Sequence, residues 1–215
     1  MKRLFCYLVT ALVVLSCGKE NRGFKISAID IGLSVKWANA NLGALAPEES
    51  GDIFAWGETE TKEIFQWETY KWTEPFEDYY FPWSIKKYNN SIYHPGVLDN
   101  KIVLDAADDA ATVKLGGKWR MPTKTEMDEL ISTQINSNYR WKLKILNGKG
   151  VLMVTYLRNN NSIVFPLGYR QDCWSSSLDE EGGATLAYCM AVSSDNAFVM
   201  VDNRCAGYSI RPVSD

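Results

Sequence analysis

The pattern of apolar and polar side chains is most regular near the middle of the chain. Residues 118–121 (KWRM) alternate polar and apolar positions after two glycines, a period typical of a short, half-buried strand. The alternation places Trp119 and Met121 on the same side of that strand. We therefore expect both side chains to be buried in the core.

The pattern changes to a helical period immediately afterwards. Pro122 ends the strand, because proline holds the residue before it in an extended conformation. Thr123, followed three residues later by Glu126, predicts a capping box at the start of a helix. Apolar residues then recur at helical spacing, at Met127, Leu130 and Ile131. This stretch predicts a strand and an amphipathic helix joined at a proline.

Most of the remaining pattern predicts short strands. Asn147 and Gly148 stand between two apolar runs and form a strong hairpin signal. A short helix is expected at residues 105–113, capped by Asp105 and stopped by Gly116. Strands are expected at residues 139–145, 151–157, 163–165, 184–192, 197–201 and 208–213, with a hairpin or bent strand at 26–38 and a strand from 53. Short, mainly antiparallel strands with two helices predict an α+β fold.

Residues 65–93 are rich in aromatic side chains and fit neither a helical nor a strand period. We interpret them as a long irregular excursion packed by its own rings. Exposed tryptophan and tyrosine faces suit sugar rings, whose apolar C–H faces stack on them. The ligand-binding candidates in this segment are Trp72, Tyr79, Tyr80 and Trp83. The alternative is that these rings fill a secondary core beneath the loop.

The first residues have the pattern of an export signal. Lys2 and Arg3 precede an apolar run that is too short for the roughly 20 residues of a membrane-spanning helix. The residues before Cys17 resemble a bacterial lipobox, which implies cleavage before Cys17 and lipid, such as palmitate, on the mature chain. We expect a lipoprotein signal peptide at 1–16, a lipid anchor and tether at 17–25, and a single domain at 26–215. The alternative is an ordinary signal peptide with a chance cysteine.

Five blocks, in order along the chain, resemble the signature of one family. They are residues 30–38 (DIGLSVKWA), 51–59 (GDIFAWGET), 120–126 (RMPTKTE), 174–177 (WSSS) and 207–213 (GYSIRPV). They are similar to the Fibrobacter succinogenes major paralogous domain (FISUMP) group of bacterial lipoproteins. The third block also resembles C-type-lectin-like folds related to formylglycine-generating enzymes. The resemblance implies a C-type-lectin-like mixed fold.

The same resemblance implies a second candidate surface in the C-terminal third, the segment that lines the ligand face of C-type-lectin-like domains. Its candidates are Trp174, Tyr188, Asp195, Asn196, Asn203 and Tyr208. Relatives with formylglycine-generating activity use a close pair of reactive cysteines. The wide cysteine spacing in this chain departs from that pattern.

Composition and charge narrow the chemistry. The formal net charge is −3, and no basic cluster stands out, so nucleic acid is not an expected partner. The only histidine, His94, is expected in a surface turn, which leaves no catalytic dyad and no two-histidine metal site. We expect no catalytic residues, no metal site and no cofactor. Asp99, Asp105, Asp108 and Asp109 could hold a structural calcium ion, but capping and solvation are the expected roles.

Three cysteines remain in the expected mature domain. Cys189 and Cys205 lie in the terminal strand region and are the candidates for a disulfide in an oxidising compartment. Three buried free thiols, with Cys173 as the third, are the alternative that the spacing leaves open.

These features predict a non-enzymatic cell-envelope lipoprotein, held at the outer membrane by its lipid, that displays a domain for a glycan or a surface protein. Two other functions remain open from the sequence. One is an enzyme derived from the formylglycine-generating fold, and the other is a structural accessory of a surface assembly.

Overall fold

The structure, a computed structural model, describes residues 24–77, 80–168, 172–181 and 183–215. The predicted signal peptide, the lipidated Cys17 and Tyr79 lie outside the described residues. The strands are β1 Ala28–Ile29, β2 Lys36–Ala38, β3 Thr73–Pro75, β4 Trp83–Ile85, β5 Trp119–Arg120, β6 Tyr139–Leu146, β7 Lys149–Tyr156, β8 Ser162–Pro166, β9 Cys173–Leu178, β10 Leu186–Val192, β11 Ala197–Asn203 and β12 Val213–Ser214. The α-helices of the described part are α1 Ala110–Leu115 and α2 Lys124–Ser132, and single 3-10 turns lie at Trp67–Thr69, Ala106–Asp108 and Thr133–Ile135.

The strands form four small sheets, in which the named strands pair antiparallel. One sheet has the order β1-β2-β12-β5, so the last strand of the chain lies between the first hairpin and the central corner. The others have the orders β11-β10-β9, β6-β7-β8 and β3-β4. Short antiparallel strands with two helices confirm the α+β prediction at this level.

The predicted strand-to-helix corner is confirmed. The Thr123 side chain accepts a hydrogen bond from the Glu126 backbone N–H, and the Glu126 carboxylate accepts one from the Thr123 backbone N–H at 2.8 Å. Arg120 donates to both oxygens of that carboxylate, at 2.8 and 2.6 Å. Burial opposes ionisation of Glu126, but these hydrogen bonds outweigh it and lower its pKa. One carboxylate thus stabilises both the strand and the helix.

The expectation that both inner side chains of this corner are buried is wrong for Trp119. Met121 is 1 % exposed and lies in the core, whereas Trp119 is only partly buried. The strand ends after Arg120, and Asp109 then accepts a hydrogen bond from the Met121 backbone N–H at 2.8 Å. The alternation therefore does not bring the tryptophan ring fully into the core.

The predicted helix at 105–113 is also placed differently. A 3-10 turn at Ala106–Asp108 precedes α1, and Asp105 makes no capping hydrogen bond. Asp109 is the N-cap of α1, and its other oxygen holds Met121. Gly116 ends the helix, as predicted, at a φ of 65°.

The predicted hairpin around Asn147 and Gly148 is confirmed. These residues adopt φ values of 47° and 80°, the left-handed region that a tight hairpin turn requires. Strands β6 and β7 pair along their full lengths, from Tyr139 opposite Tyr156 to Leu146 opposite Lys149. The hairpin at residues 26–38 is likewise confirmed by the pairing of β1 with β2.

Two large apolar clusters form the core. One surrounds Trp56, Tyr88 and Trp174, and the other surrounds Trp37 and Phe165. A buried arginine packs against each cluster, Arg204 on Trp56 of the first and Arg211 on Phe165 of the second. The sequence pattern did not indicate either arginine.

Arg211 is the buried arginine of the second cluster. Its guanidinium donates to the Asn41 side chain and to the carbonyls of Ala38 and Val164, and it lies 4.6 Å from the Phe165 ring centre. Burial lowers its pKa to about 10. The charge is retained because carbonyl dipoles surround it.

Candidate functional site

An aromatic cleft of about 520 Å³ lies where the 65–95 segment meets the end of β11. The described residues that line this aromatic cleft are Trp67, Tyr80, Phe81, Tyr93, His94, Pro95, Thr185 and Asn203. None of them is an acidic residue, a lysine or an arginine. The lining combines ring faces with a few polar groups, which is the usual composition of a site for a small ligand.

The rings of the aromatic cleft pack in a row. Trp67 meets Phe81 edge-on with 5.5 Å between ring centres, and Phe81 lies 5.0 Å from the His94 ring. The outer rings are open to solvent, since Tyr80 is 92 % exposed and Tyr93 is 87 % exposed. The inner rings therefore form a supported wall, and the outer rings are exposed to solvent at its edge.

Arg204 holds the two sides of the aromatic cleft together from beneath. It is completely buried, and its Nε donates to the Tyr70 hydroxyl at 2.7 Å. Its terminal nitrogens donate to the carbonyls of Tyr88, Ala184 and Lys87, each at 2.8 Å. These acceptors belong to the aromatic segment and to the turn just before β10, so the Arg204 side chain connects the two segments that line the aromatic cleft.

The polar side of the aromatic cleft follows from the end of the β10-β11 pair. The Arg204 backbone N–H donates to the Thr185 carbonyl at 3.0 Å, directly after the exposed Asn203. Asn203 is exposed at the end of β11, whereas Arg204, in the turn that follows, is buried. Asn203 and Thr185 therefore add an amide and a hydroxyl to the lining of the aromatic cleft.

His94 lies in a turn, as the sequence predicts, since its backbone N–H donates to the Ser91 carbonyl at 3.4 Å, but its side chain is partly buried. Its Nδ1 is shielded from solvent with no hydrogen-bond partner among the described residues. Burial lowers its pKa, so the imidazole is neutral at neutral pH. The residue contributes a neutral polar ring to the aromatic cleft.

The aromatic excursion supplies one of its predicted binding residues to the aromatic cleft, Tyr80. Trp72 is partly buried, donates its indole N–H to the Gly57 carbonyl at 2.9 Å and packs edge-on against Tyr88. Trp83 is partly buried in β4 and does not line the cleft. The alternative of a secondary core therefore describes Trp72 better than a binding role does.

The C-terminal candidates also separate into different places. Asn203 lines the aromatic cleft, whereas Trp174 is 0 % exposed and donates its indole N–H to the Phe54 carbonyl, which contradicts a surface role. Tyr208 packs on Trp174 and donates its hydroxyl to Asp202. Tyr188 lies elsewhere, with the Lys124 ammonium 5.3 Å from its ring centre.

Asp195 and Asn196 lie in the turn between β10 and β11, at the opposite end of β11 from Asn203. Seven residues of extended chain, at about 3.4 Å each, separate the two ends by roughly 20 Å. Asp195 and Asn196 are exposed, but they share no site with the aromatic cleft.

The structure contradicts the disulfide candidate, because Cys173, Cys189 and Cys205 are all buried and no disulfide joins them. Cys189 packs in the cluster of Trp56 and Trp174, whereas Cys205 packs with Ala55 and Tyr70. The two thiols point into different clusters because Cys189 lies within β10, opposite Met200, whereas Cys205 follows the end of β11. Burial raises the pKa of Cys173 to about 12 and of Cys205 to about 11, and it also raises the pKa of Cys189.

The four aspartates considered for calcium each have another role in the chain. Asp99 accepts from three backbone N–H groups, Asp105 and Asp108 form ion pairs with lysines, and Asp109 caps α1. Across the described ranges, no group of three or more histidine, cysteine, aspartate or glutamate side chains is arranged to hold a metal ion.

Sequence reasoning missed six described residues that line the aromatic cleft: Trp67, Phe81, Tyr93, His94, Pro95 and Thr185. The density of rings at residues 65–93 was the signal for the first three. Nothing local marks His94 or Thr185, because their position depends on the contact between distant segments.

Comparison of the chain with family models, with curated proteins and with solved structures found no match. Among the residues that the structure describes, no helix has the length and apolar character needed to cross a membrane.

Proposed function

We propose that this chain is a non-enzymatic cell-envelope lipoprotein whose domain binds a glycan in the aromatic cleft. The observation that carries the proposal is the pairing of exposed ring faces, Tyr80 and Tyr93, with the polar groups of Thr185 and Asn203 across one cleft. A sugar ring presents apolar C–H faces to aromatic rings and hydroxyl groups to amides and hydroxyls. The described lining of the aromatic cleft has no charged side chain, which favours ring stacking and neutral hydrogen bonds within the cleft itself.

In this proposal the domain is C-type-lectin-like and the chain is related to the FISUMP lipoproteins. The α+β arrangement and the capping box within residues 120–126 support that proposal. Lipid on Cys17 would hold the domain at the outer membrane.

The state of the thiols favours binding over an enzyme of the formylglycine-generating type. A thiolate is the reactive form of cysteine. Cys173, Cys189 and Cys205 are all buried, and burial raises the pKa of each thiol. Thiol chemistry at neutral pH is therefore disfavoured at all three positions.

A glycan array, followed by calorimetry on the glycans that bind, tests the proposal. The full-length protein is used in a detergent without a sugar head group, because an alkyl glycoside would compete for the cleft. We expect Tyr80→Ala to weaken binding roughly three- to tenfold, the loss of one ring contact. Phe198→Ala is the matched control, since Phe198 is a half-exposed ring of β11 outside the cleft.

A second pair of variants tests the polar side. Asn203→Ala is expected to weaken binding, and Asn196→Ala, at the other end of β11, is expected to leave it unchanged. The proposal is wrong if the array shows no glycan binding, or if the control variants weaken binding as much as the cleft variants do.

A further inference from the structure

A second cavity, of about 420 Å³, adjoins the aromatic cleft and shares Tyr93 and His94 with it. Its other described lining residues are Asn90, Ser91, Ile92, Glu180, Glu181 and Gly183. We call it the acidic cavity. The turn that carries the glutamates packs closely on the shared histidine, because a Cβ on Gly183 would lie 3.1 Å from His94 Nε2. Tyr93 and His94 therefore form a wall common to the aromatic cleft and the acidic cavity.

The two cavities differ in charge. Glu180 and Glu181 are exposed, and neither forms an ion pair with a described residue. No described residue that lines the acidic cavity is a lysine or an arginine. His94, the one basic side chain on the shared wall, has a pKa lowered by burial and is neutral. Among the described residues that line the acidic cavity, the two carboxylates therefore have no lysine or arginine beside them.

The wall of the acidic cavity also contains unpaired hydrogen-bonding atoms. The Asn90 amide nitrogen donates to the Asp179 carbonyl at 3.3 Å, which orients the amide, and Oδ1 has no partner among the described residues. His94 Nδ1 likewise has no partner there. A buried polar atom without a partner is unfavourable, so a ligand donor that pairs with it stabilises the complex. Both atoms are shielded from solvent, so a rotation of either side chain would have to accompany such a contact.

We propose that the acidic cavity binds a protonated amino group of the ligand, so that the glycan bound by this protein carries free amino groups on its sugar rings. An ammonium ion supplies three hydrogen-bond donors and a positive charge. It matches two carboxylates and an amide oxygen better than a hydroxyl or an acetylated amine does. The proposal rests on the proposed function, because the aromatic cleft holds the ring that carries the amine.

Calorimetry with two oligosaccharides of the same backbone tests the proposal. The probes are the tetramer of glucosamine and the tetramer of N-acetylglucosamine, added to the full-length protein. We expect the free amine form to bind about tenfold more tightly, the effect of two partly exposed ion pairs. We expect the difference to fall to within about twofold in the double variant Glu180→Gln, Glu181→Gln.

The double variant Glu63→Gln, Glu74→Gln is the charge-matched control. Both residues are exposed and line neither cavity, so it changes the net charge equally and is expected to keep the preference. Loss of preference in this control would show only general attraction of a cation to an acidic protein, and would overturn the proposal.

The outcomes separate the two proposals. If both tetramers bind equally, or the acetylated one binds more tightly, the amine proposal is wrong while glycan binding stands. If neither binds, the amine proposal is wrong, and glycan binding is decided separately by the array. Tetralysine binding as tightly as the glucosamine tetramer would show recognition of a cationic chain and would also overturn the amino-sugar proposal.

Discussion

At the scale of single residues, Arg204 shows how a buried charge can organise a surface site. Its acceptors include three backbone carbonyls and a tyrosine hydroxyl, and its guanidinium carbon lies 5.1 Å from the Trp56 ring centre. One of those carbonyls belongs to Tyr88, which adopts a φ of 60°, a strained conformation for a bulky residue. The hydrogen bond from Arg204 and one from the Tyr88 N–H to Asp99 hold that conformation.

Arg204→Met is expected to lower the free energy of unfolding by about 3–5 kcal/mol, because it leaves several buried acceptors unpaired. Denaturant unfolding measures the change. Arg140→Met is the matched control, since Arg140 is exposed on β6 and its replacement is expected to change stability by no more than about 0.5 kcal/mol. A loss below about 1 kcal/mol for Arg204→Met would contradict the role assigned to this side chain.

At the scale of elements, the corner formed by β5 and α2 joins local and distant interactions. The capping box is local, because Thr123 and Glu126 are three residues apart. The same Glu126 carboxylate pairs with Arg120, which also donates to Asp215 at the end of the chain. Strand β12 pairs with β5 at this position. The corner is therefore a point where the end of the chain attaches to its centre.

Thr123→Ala is expected to cost about 1 kcal/mol of stability, the usual loss of an N-cap side chain. Thr123→Ser keeps the hydroxyl and is expected to keep most of that stability. Met121→Ala, which removes a fully buried side chain next to the cap, is expected to cost about 2–5 kcal/mol. Thermal or denaturant unfolding of the three variants gives the order. Equal losses for Thr123→Ala and Met121→Ala would contradict it.

At the scale of the whole molecule, the proposed function depends on where the chain is held. Residues 24–215 contain the candidate site in their described parts, and the proposed anchor precedes them. Two or more acyl chains on one cysteine bind a bilayer firmly, because each buried methylene contributes about 0.8 kcal/mol.

Cys17→Ala is therefore expected to move the protein out of the detergent phase in phase-partitioning of labelled cells, or to leave it unprocessed. Cys6→Ala, within the same leader, is the control and is expected to partition like the unaltered protein. Retention of the Cys17→Ala protein in the detergent phase, with normal processing, would disprove lipidation at this position.

The amino-acid sequence by itself determined the elements that depend on near neighbours. The capping box at Thr123, the hairpin at Asn147 and Gly148, and the end of α1 at Gly116 follow from hydrogen bonds and backbone preferences within a few residues, so the sequence predicts them correctly. Tyr80 was predicted as a binding candidate for a similar reason, since a dense run of rings is visible without a fold.

Only the tertiary structure decided burial and proximity. Trp119 and Met121 have the same place in the alternation, yet one is partly exposed and the other is in the core, because the strand is only two residues long and ends before Met121. Trp174 and Cys189 are buried because the sheet β11-β10-β9, which carries them, packs one of its faces on the core cluster around Trp56. The aromatic cleft joins Trp67, His94 and Asn203 through contacts that no local pattern encodes, and a buried arginine far from most of them in the sequence holds those contacts together.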